Sequence, residues 1–371
     1  MAPLRELGTV KALPGEICYG YLDVLELPTG ITERLPVILA QGRHDGPTFW
    51  LTANIHGNEY TGLLAVQRAL HEHVAPHLAR LRGQVVAIPS LNPAGLRNAS
   101  RQPYYDDVDP NRTFPEPEFA RKEEDGRDPP GPYEQISARL YDALRESADL
   151  LVDLHCAHIQ SVPFTIRDRV LYRGVENRAT AEAQAMRLDG LAHAFGLPVV
   201  NEFPPRKYMH QKLHRSTAGA ALNEAGIPSI TPELGPSNGV DPACLRAAVA
   251  GIRNVLIWAG MLEGEMEVLT WIPQPDLGFR VRRENYPRSP ATGIIHHLRQ
   301  PGEIVHAGDA IAELRDIHGR PVAATGEDGL IRTDQDGWVI GLRGRATVFP
   351  NSSVATMAIR DDGELIEEWP L

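Results

Sequence analysis

Lysine is scarce in this 371-residue chain: only Lys11, Lys122, Lys207 and Lys212 join the arginines among its 37 basic residues. Set against 48 acidic residues, they leave a formal net charge of -11 at pH 7. Such a chain lacks the broad basic face that neutralises a phosphate backbone, so nucleic acid is not an expected partner. A small anionic substrate stays open, because a site answers to its local field. Cysteine is equally sparse. Cys18, Cys156 and Cys244 stand far apart with no CxxC pair, which excludes a disulfide framework and a Cys-rich zinc cluster. No apolar run approaches the ~18 residues of a membrane span. VVAIP (85–89) is too short, and the 245–262 stretch carries Arg246, Arg253 and Asn254. Charges and prolines interrupt the N-terminal stretch where an export signal needs apolar continuity. The expectation is a soluble, cytoplasmic protein with no membrane partner. With no P-loop or dinucleotide fingerprint present, a nucleotide-binding reading lacks support.

What is present is a large apolar complement, 42% of residues, enough for a sizeable core, and a length suited to two or three domains. Strand-like pieces ICYGYLDVLEL and LPVILAQG precede the short strand FWLTANI, which ends at His56 and Gly57. From Glu59 an apolar helical spacing runs on, interrupted at Pro76. Residues 91–133 carry no sustained period, and Pro- and Glu-rich residues at about 115–133 read as a surface insert. Helices at 134–148, 176–195, 215–225 and 241–260 then alternate with strands DLLVDLHC, LPVVNEF and PSITPEL. This is an α/β pattern, implying a mainly parallel or mixed sheet with helices on both faces. Near residue 264 it gives way to short strands between Gly, Pro and Asp turns, an all-β second domain. The expected division is 1–263 and 264–371.

Chemistry concentrates where strands end. His56 and Glu59 lie three residues apart at a strand-to-helix junction, and Gly57 between them makes a turn inexpensive. The strand DLLVDLH ends in His155. Open α/β sheets place their sites at such C-terminal strand ends, and His56, Glu59 and His155 would make a His₂Glu set with a position left for water. The competing readings are a satisfied polar His at each strand end and a Glu59 that merely begins a helix. A third strand, SITPEL, ends at Glu233, which could move a proton between water and a leaving amine; its plain alternative is a capping or ion-paired carboxylate. Arg97, Arg101 and Arg112, with Asn111, offer guanidinium forks suited to a carboxylate or a developing oxyanion. Pairing with Asp106, Asp107 and Asp109 on a solvated loop is the alternative, and it is preferred for Arg97. The stretch RKYMHQKLHRS (206–216) is a candidate cationic rim. Cys156 reads as a buried residue beside the metal strand, and His296 and His297 as an ordinary strand pair.

In order, the motifs NIHGNE (54–59), DPNRTFP (109–115), DLH (153–155) and PELG (232–235) resemble the succinylglutamate desuccinylase/aspartoacylase family, a deacylase branch of the zinc carboxypeptidase-like fold. The resemblance spans about residues 48–260. It implies His56, Glu59 and His155 as ligands of one Zn²⁺, Glu233 as general base and acid, and Arg101 at the scissile carbonyl. It further implies Asn111 and Arg112 at a substrate carboxylate, Arg215 as a further carboxylate-binding arginine, and a homo-oligomer as one assembly the family uses. The implied reaction is hydrolysis of a small N-acyl, carboxylate-bearing amide by water that Glu233 assists. Readings that share the metal site are a zinc carboxypeptidase, a peptidoglycan or other amidase and an ester hydrolase; a non-catalytic binding protein is the rival from another class. The C-terminal strands resemble the barrel-sandwich fold of lipoyl and biotinyl carriers. Residues 264–371 contain no Lys, which excludes a carrier role.

Overall fold

Apolar residues on both sides of the central strands require a sheet covered twice. The computed structural model, which describes residues 4, 6–116 and 129–370, provides that. Its strands are β1 (Glu16–Glu26), β2 (Thr32–Gln41), β3 (His44–Ala53), β4 (Arg82–Ile88), β5 (Leu150–Leu154), β6 (Phe164–Arg167), β7 (Val199–Asn201) and β8 (Ser229–Glu233). The helices are α1 (Tyr60–Ala69), α2 (Pro93–Asn98), α3 (Pro132–Ser147), α4 (Arg178–Phe195), α5 (Pro205–His210), α6 (Thr217–Asn223) and α7 (Pro242–Trp258). Spatial order is β7-β6-β8-β5-β3-β4-β2-β1. Strands β8, β5, β3 and β4 run parallel, and β2 and β1 return antiparallel.

Alternation sorts the side chains. Phe49, Leu51 and Ala53 of β3, with Leu150, Val152 and Leu154 of β5, pack with Ala65 and Val66 of α1, Leu188 of α4 and Val255 of α7. Trp50 and Leu151 point the other way, onto Ile136, Leu140 and Leu144 of α3 and Ala220 of α6. Each Val, Leu, Ile or Phe among them contributes about 1.5–3 kcal/mol on burial. A one-residue slip would exchange the two sets, so the register that places the strand ends is firmly held.

The helix expected from Glu59 begins at Tyr60, widens after Ala69 into a five-residue π turn (Leu70–Val74) and ends in a tight turn, Ala75–His77, around Pro76. Expected helices at 134–148, 176–195, 215–225 and 241–260 correspond to α3, α4, α6 and α7. Most of the proposed insert lies outside the described residues. No helix among those described is long and apolar enough to cross a membrane.

The C-terminal part is all β and has its own core of Ile295, Ile311, Leu314, Val339, Met357 and Ile359. Its strands are β9 (Val281–Glu284), β10 (Gly293–His297), β11 (Ala310–Arg315), β12 (Leu330–Arg332), β13 (Gly337–Leu342) and β14 (Ala355–Arg360). Strands β12, β11 and β10 form a separate small sheet, whereas β13, β14 and β9 continue the large one. Continuity rests on β9, which pairs parallel with β7 (Asn201 to Arg282) and antiparallel with β14. That seam carries residues of the second domain to the wall of the central cavity.

Candidate metal centre and active site

Three neighbouring parallel strands deliver the central side chains from their C-terminal ends. His155 directly follows β5, and His56 lies three residues beyond β3. Glu233 closes β8, where a parallel bridge pairs it with His155. The His155 N–H donates to the Pro232 carbonyl at 2.9 Å and the Leu234 N–H to the His155 carbonyl at 2.8 Å. This fixes Glu233 beside His155.

The turn after β3 is organised by a residue that sequence reasoning missed. Asn54 adopts a left-handed φ of 56°, which asparagine tolerates better than most residues. Its Nδ2 donates to the carbonyls of His56 (3.2 Å) and Glu59 (2.9 Å), and its Oδ1 accepts from Ser90 Oγ (2.7 Å). Gly57 serves a different purpose from the conformational freedom expected of it: it has no left-handed φ. A Cβ there would lie 2.0 Å from the Gly95 carbonyl carbon and 2.3 Å from the Leu96 nitrogen, so the glycine lets the loop touch α2.

His56, Glu59 and His155, each 3–4% exposed, bring one ligand atom apiece within 4.8 Å of one another. Among the described residues no other group of three does so. His56 Nδ1 stands 2.8 Å from Glu59 Oε1 and His155 Nδ1 3.2 Å from Glu59 Oε2. The opposite edges of both rings meet carboxylates: His56 Nε2 reaches Asp109 Oδ1 at 3.0 Å, and His155 Nε2 reaches Asp153 Oδ2 at 2.9 Å. Asp153 is itself held by Thr52 Oγ1 at 2.7 Å. Two imidazoles and a carboxylate converging, with carboxylates behind the rings, is the donor set and outer support of a zinc site. The residues fit one zinc ion per chain.

Electrostatics follow from this burial. Burial alone would raise the Glu59 carboxyl, but His56 and His155 outweigh it and hold it well below the usual range. Asp109 likewise lies low, with burial overcome by His56 and Arg101. Burial raises Glu233, partly opposed by His155 and reinforced by Glu59; its Oε2 is buried without a hydrogen-bond partner. The Cys156 thiol is pushed far up by burial, while its N–H donates to Glu59 Oε2 at 3.0 Å.

Beyond the metal ligands, a cavity of about 170 Å³ is lined by Arg101, Asn111, Arg112, Glu233 and residues of the second domain, Arg283, Ile340, Gly341 and Thr356 among them. Arg101 Nη2 donates to Asp109 Oδ2 at 2.8 Å, and Nη1 lies 3.7 Å from Glu59 Oε1. Asn111 Oδ1 accepts from the N–H of Thr217 at 2.9 Å, and its Nδ2 lies 3.5 Å from His155 Nε2. Arg112 Nη1 donates to the Asn111 carbonyl at 2.6 Å.

Several expectations take another form. Arg215, expected at a substrate carboxylate, is not on the cavity wall: it donates to Glu134 Oε1 at 2.7 Å and to the carbonyl of Phe114 at 2.9 Å. It braces the segment behind Asn111 and Arg112. Arg97 forms an ion pair, but with Glu33 of β2 at 2.8 Å and not with the nearby aspartates. The basic stretch 206–216 contributes Leu213 and Ser216 to the cavity, and none of its cations. Lys207 instead pairs with Glu284 and lies over the Phe203 ring. His297 Nε2 bonds the Val354 carbonyl at 3.0 Å. Arg283 is the cation that sequence reading missed. Its only signal was a basic alternation in RVRRE, in a stretch assigned to a separate domain.

Fold and site together define a zinc-dependent amidohydrolase acting on small N-acyl substrates. The family described as succinylglutamate desuccinylase/aspartoacylase catalytic domain matches residues 45–259, and the chain belongs to that family. An N-alpha-acetyl-L-2,4-diaminobutyric acid deacetylase of Halomonas elongata is 27% identical over 331 residues, covering 87% of this chain and 85% of that protein. A succinylglutamate desuccinylase from Silicibacter sp. TM1040 shares the fold with a TM-score of 0.71 at 22% identity, over 97% of each chain. The product-bound ectoine utilization protein EutE (DoeB) from Ruegeria pomeroyi does so with a TM-score of 0.69 at 24% identity, over 94% of this chain and 97% of that one.

Proposed function

We propose that the protein removes the acyl group from a carboxylate-bearing N-acyl amino acid, with Glu233 as general base and acid. The observation that supports this most is the unpartnered Glu233 Oε2 at the cavity wall. A buried acceptor without a hydrogen bond costs about 1–3 kcal/mol, a cost relieved when a reacting group occupies the cavity. A zinc ion held by His56, Glu59 and His155 supplies Lewis acidity for the amide carbonyl and lowers the pKa of water. Glu233 accepts the proton of the attacking water and later gives it to the leaving amine. Arg101, kept charged by Asp109 and Glu59 despite burial, meets the negative charge that develops on the carbonyl oxygen. Arg112 takes the substrate carboxylate, and Asn111 fixes its backbone.

The relative from Halomonas elongata supports an acetylated amino acid as substrate. The walls given by Ile340, Gly341 and Thr356 favour a small molecule over an extended peptide. In the same reading residues 1–263 are the deacylase domain, and residues 264–371 are a barrel-sandwich-type domain that shapes the cavity. The reaction takes place in the cytoplasm.

The test is Glu233→Gln in zinc-loaded protein. Zinc should be retained and turnover of N-acyl amino acids should fall at least about 100-fold; undiminished turnover would reject the base. Neutral amides hydrolysed as efficiently as their carboxylate-bearing counterparts would reject Arg112 as the carboxylate clamp.

A further inference from the structure

We infer that Asp168 receives a substrate ammonium group, so that the cavity selects an N-acyl diamino acid over the analogue whose side chain lacks the amine. The inference names a substrate class for the deacylase reading and rests on it.

Asp168 directly follows β6, is 9% exposed and lines the same cavity as the metal ligands. The Tyr208 hydroxyl donates to its Oδ2 at 2.7 Å, and no Lys or Arg among the described residues forms an ion pair with it. Glu59 and Glu233 on the same wall belong to the metal centre and the proton-transfer role, and Glu202 is matched. Glu202 is gripped by Arg283, with Nε at 3.1 Å from Oε1 and Nη2 at 2.5 Å from Oε2. The Arg283 guanidinium also lies 4.6 Å from the centre of the Phe203 ring. A bidentate pair stacked in this way is closed to a ligand. Arg112, a further cation acting on Asp168, feels Asp109 and Glu202 through space but forms no ion pair among the described residues.

Apart from Glu59, Glu233 and Arg101, which serve the metal and the reacting amide, the charges on the wall reduce to one guanidinium and one carboxylate outside any ion pair among the described residues, Arg112 and Asp168. Arg283 and Arg112 both act on Asp168 through space, but Glu202 already neutralises Arg283; once a substrate carboxylate takes Arg112, Asp168 is left buried without an uncommitted cation. A carboxylate in that position takes up a proton or acquires a positive partner. Burial and the Glu202 charge already push its carboxyl up to about 7. A substrate ammonium supplies the missing charge, keeps Asp168 ionised and requires no rearrangement of the Arg283–Glu202 pair. A second substrate carboxylate would instead meet repulsion, which separates this cavity from one built for acylated dicarboxylic amino acids.

Two matched pairs of probes test the inference on the zinc-loaded full chain. The first is 2,4-diaminobutyrate against 2-aminobutyrate, with binding measured by calorimetry. The second is their Nα-acetyl derivatives, with kcat/KM measured. The amine-bearing member should be preferred at least about 10-fold in each pair, because a site that pairs a polar group rejects the analogue lacking it. Asp168→Asn should bring both ratios close to one, while Tyr208→Phe, which keeps the carboxylate, should preserve them. A ratio near one in the unaltered protein overturns the inference without any variant, and so does a preference that persists in Asp168→Asn. Hydrolysis with no preference for the amine leaves the deacylase reading standing and removes Asp168. A binding preference without hydrolysis of any acyl amino acid supports Asp168 and rejects the deacylase reading.

Discussion

Gly57→Ala tests whether the metal centre depends on contact between the His56 loop and α2. An added Cβ would lie 2.0 Å from the Gly95 carbonyl carbon, 2.3 Å from the Leu96 nitrogen and 2.6 Å from Gly95 Cα. All three are backbone atoms, so no side chain can rotate away. To reach even a tight contact, the loop and helix must separate by at least about 1 Å. Because Gly57 does not sit in the left-handed region, alanine brings no backbone penalty and the clash is the whole perturbation. Such overpacking costs about 1–3 kcal/mol. The strain falls on the loop that carries His56 and Glu59, and a shift there should weaken zinc binding by about 10- to 100-fold, the range seen when the support of a ligand is disturbed. Competition with a chelator measures the affinity, and thermal unfolding of the metal-free protein measures the stability. Unchanged zinc affinity together with an unchanged melting temperature would refute the reasoning. Lost stability with intact zinc affinity would show that the loop and the metal site are uncoupled.

Other expectations follow from single contacts. Asp153→Asn replaces the carboxylate behind His155 and should lower zinc affinity by about 10- to 100-fold, read by the same competition. Arg215→Ala removes a partly buried ion pair with Glu134 and a brace on Phe114; melting should fall by the equivalent of about 1–3 kcal/mol, and an effect confined to KM would contradict the bracing role. Alkylation of the native protein should modify Cys18 first, since Cys156 and Cys244 are buried and burial pushes the Cys244 thiol up to about 12; mass spectrometry of the labelled peptides decides. His158 is pushed down to about 4 by burial and by Arg343, Arg283 and Arg101. The unfolded chain therefore takes up this proton near pH 6.5 while the folded chain does not, and stability falls as pH drops from about 6.5 to about 4. The contribution is at most about 3 kcal/mol, measured by denaturant unfolding against His158→Gln, which should lack that component.

Much of the framework could be read along the chain because its determinants are local. Period-two apolar strands and the helices between them are set by residues a few positions apart, and so is the meeting of His56 with Glu59. His155 and Glu233 could be placed because each ends an apolar strand, and parallel strands of one sheet end on the same side. What remained hidden depends on contacts between distant segments. The pairing of β9 with β7 joins residues some eighty positions apart and, with the pairing of β9 to β14, carries Arg283 to the cavity. Arg97 and Arg215 look alike in sequence context to Arg101 and Arg112, yet Glu33 and Glu134 draw their guanidiniums elsewhere.

By itself, then, the sequence determined the α/β and all-β parts, the strand ends and the types of side chain available for a zinc site. Only the tertiary structure decided which cations face the cavity, that Gly57 is needed for space, and that Asp168 forms no ion pair among the described residues. The physical reason is that hydrophobic periodicity and turn chemistry act over a few residues. The pairing of buried charges is settled only when the packed elements determine which partner comes within reach.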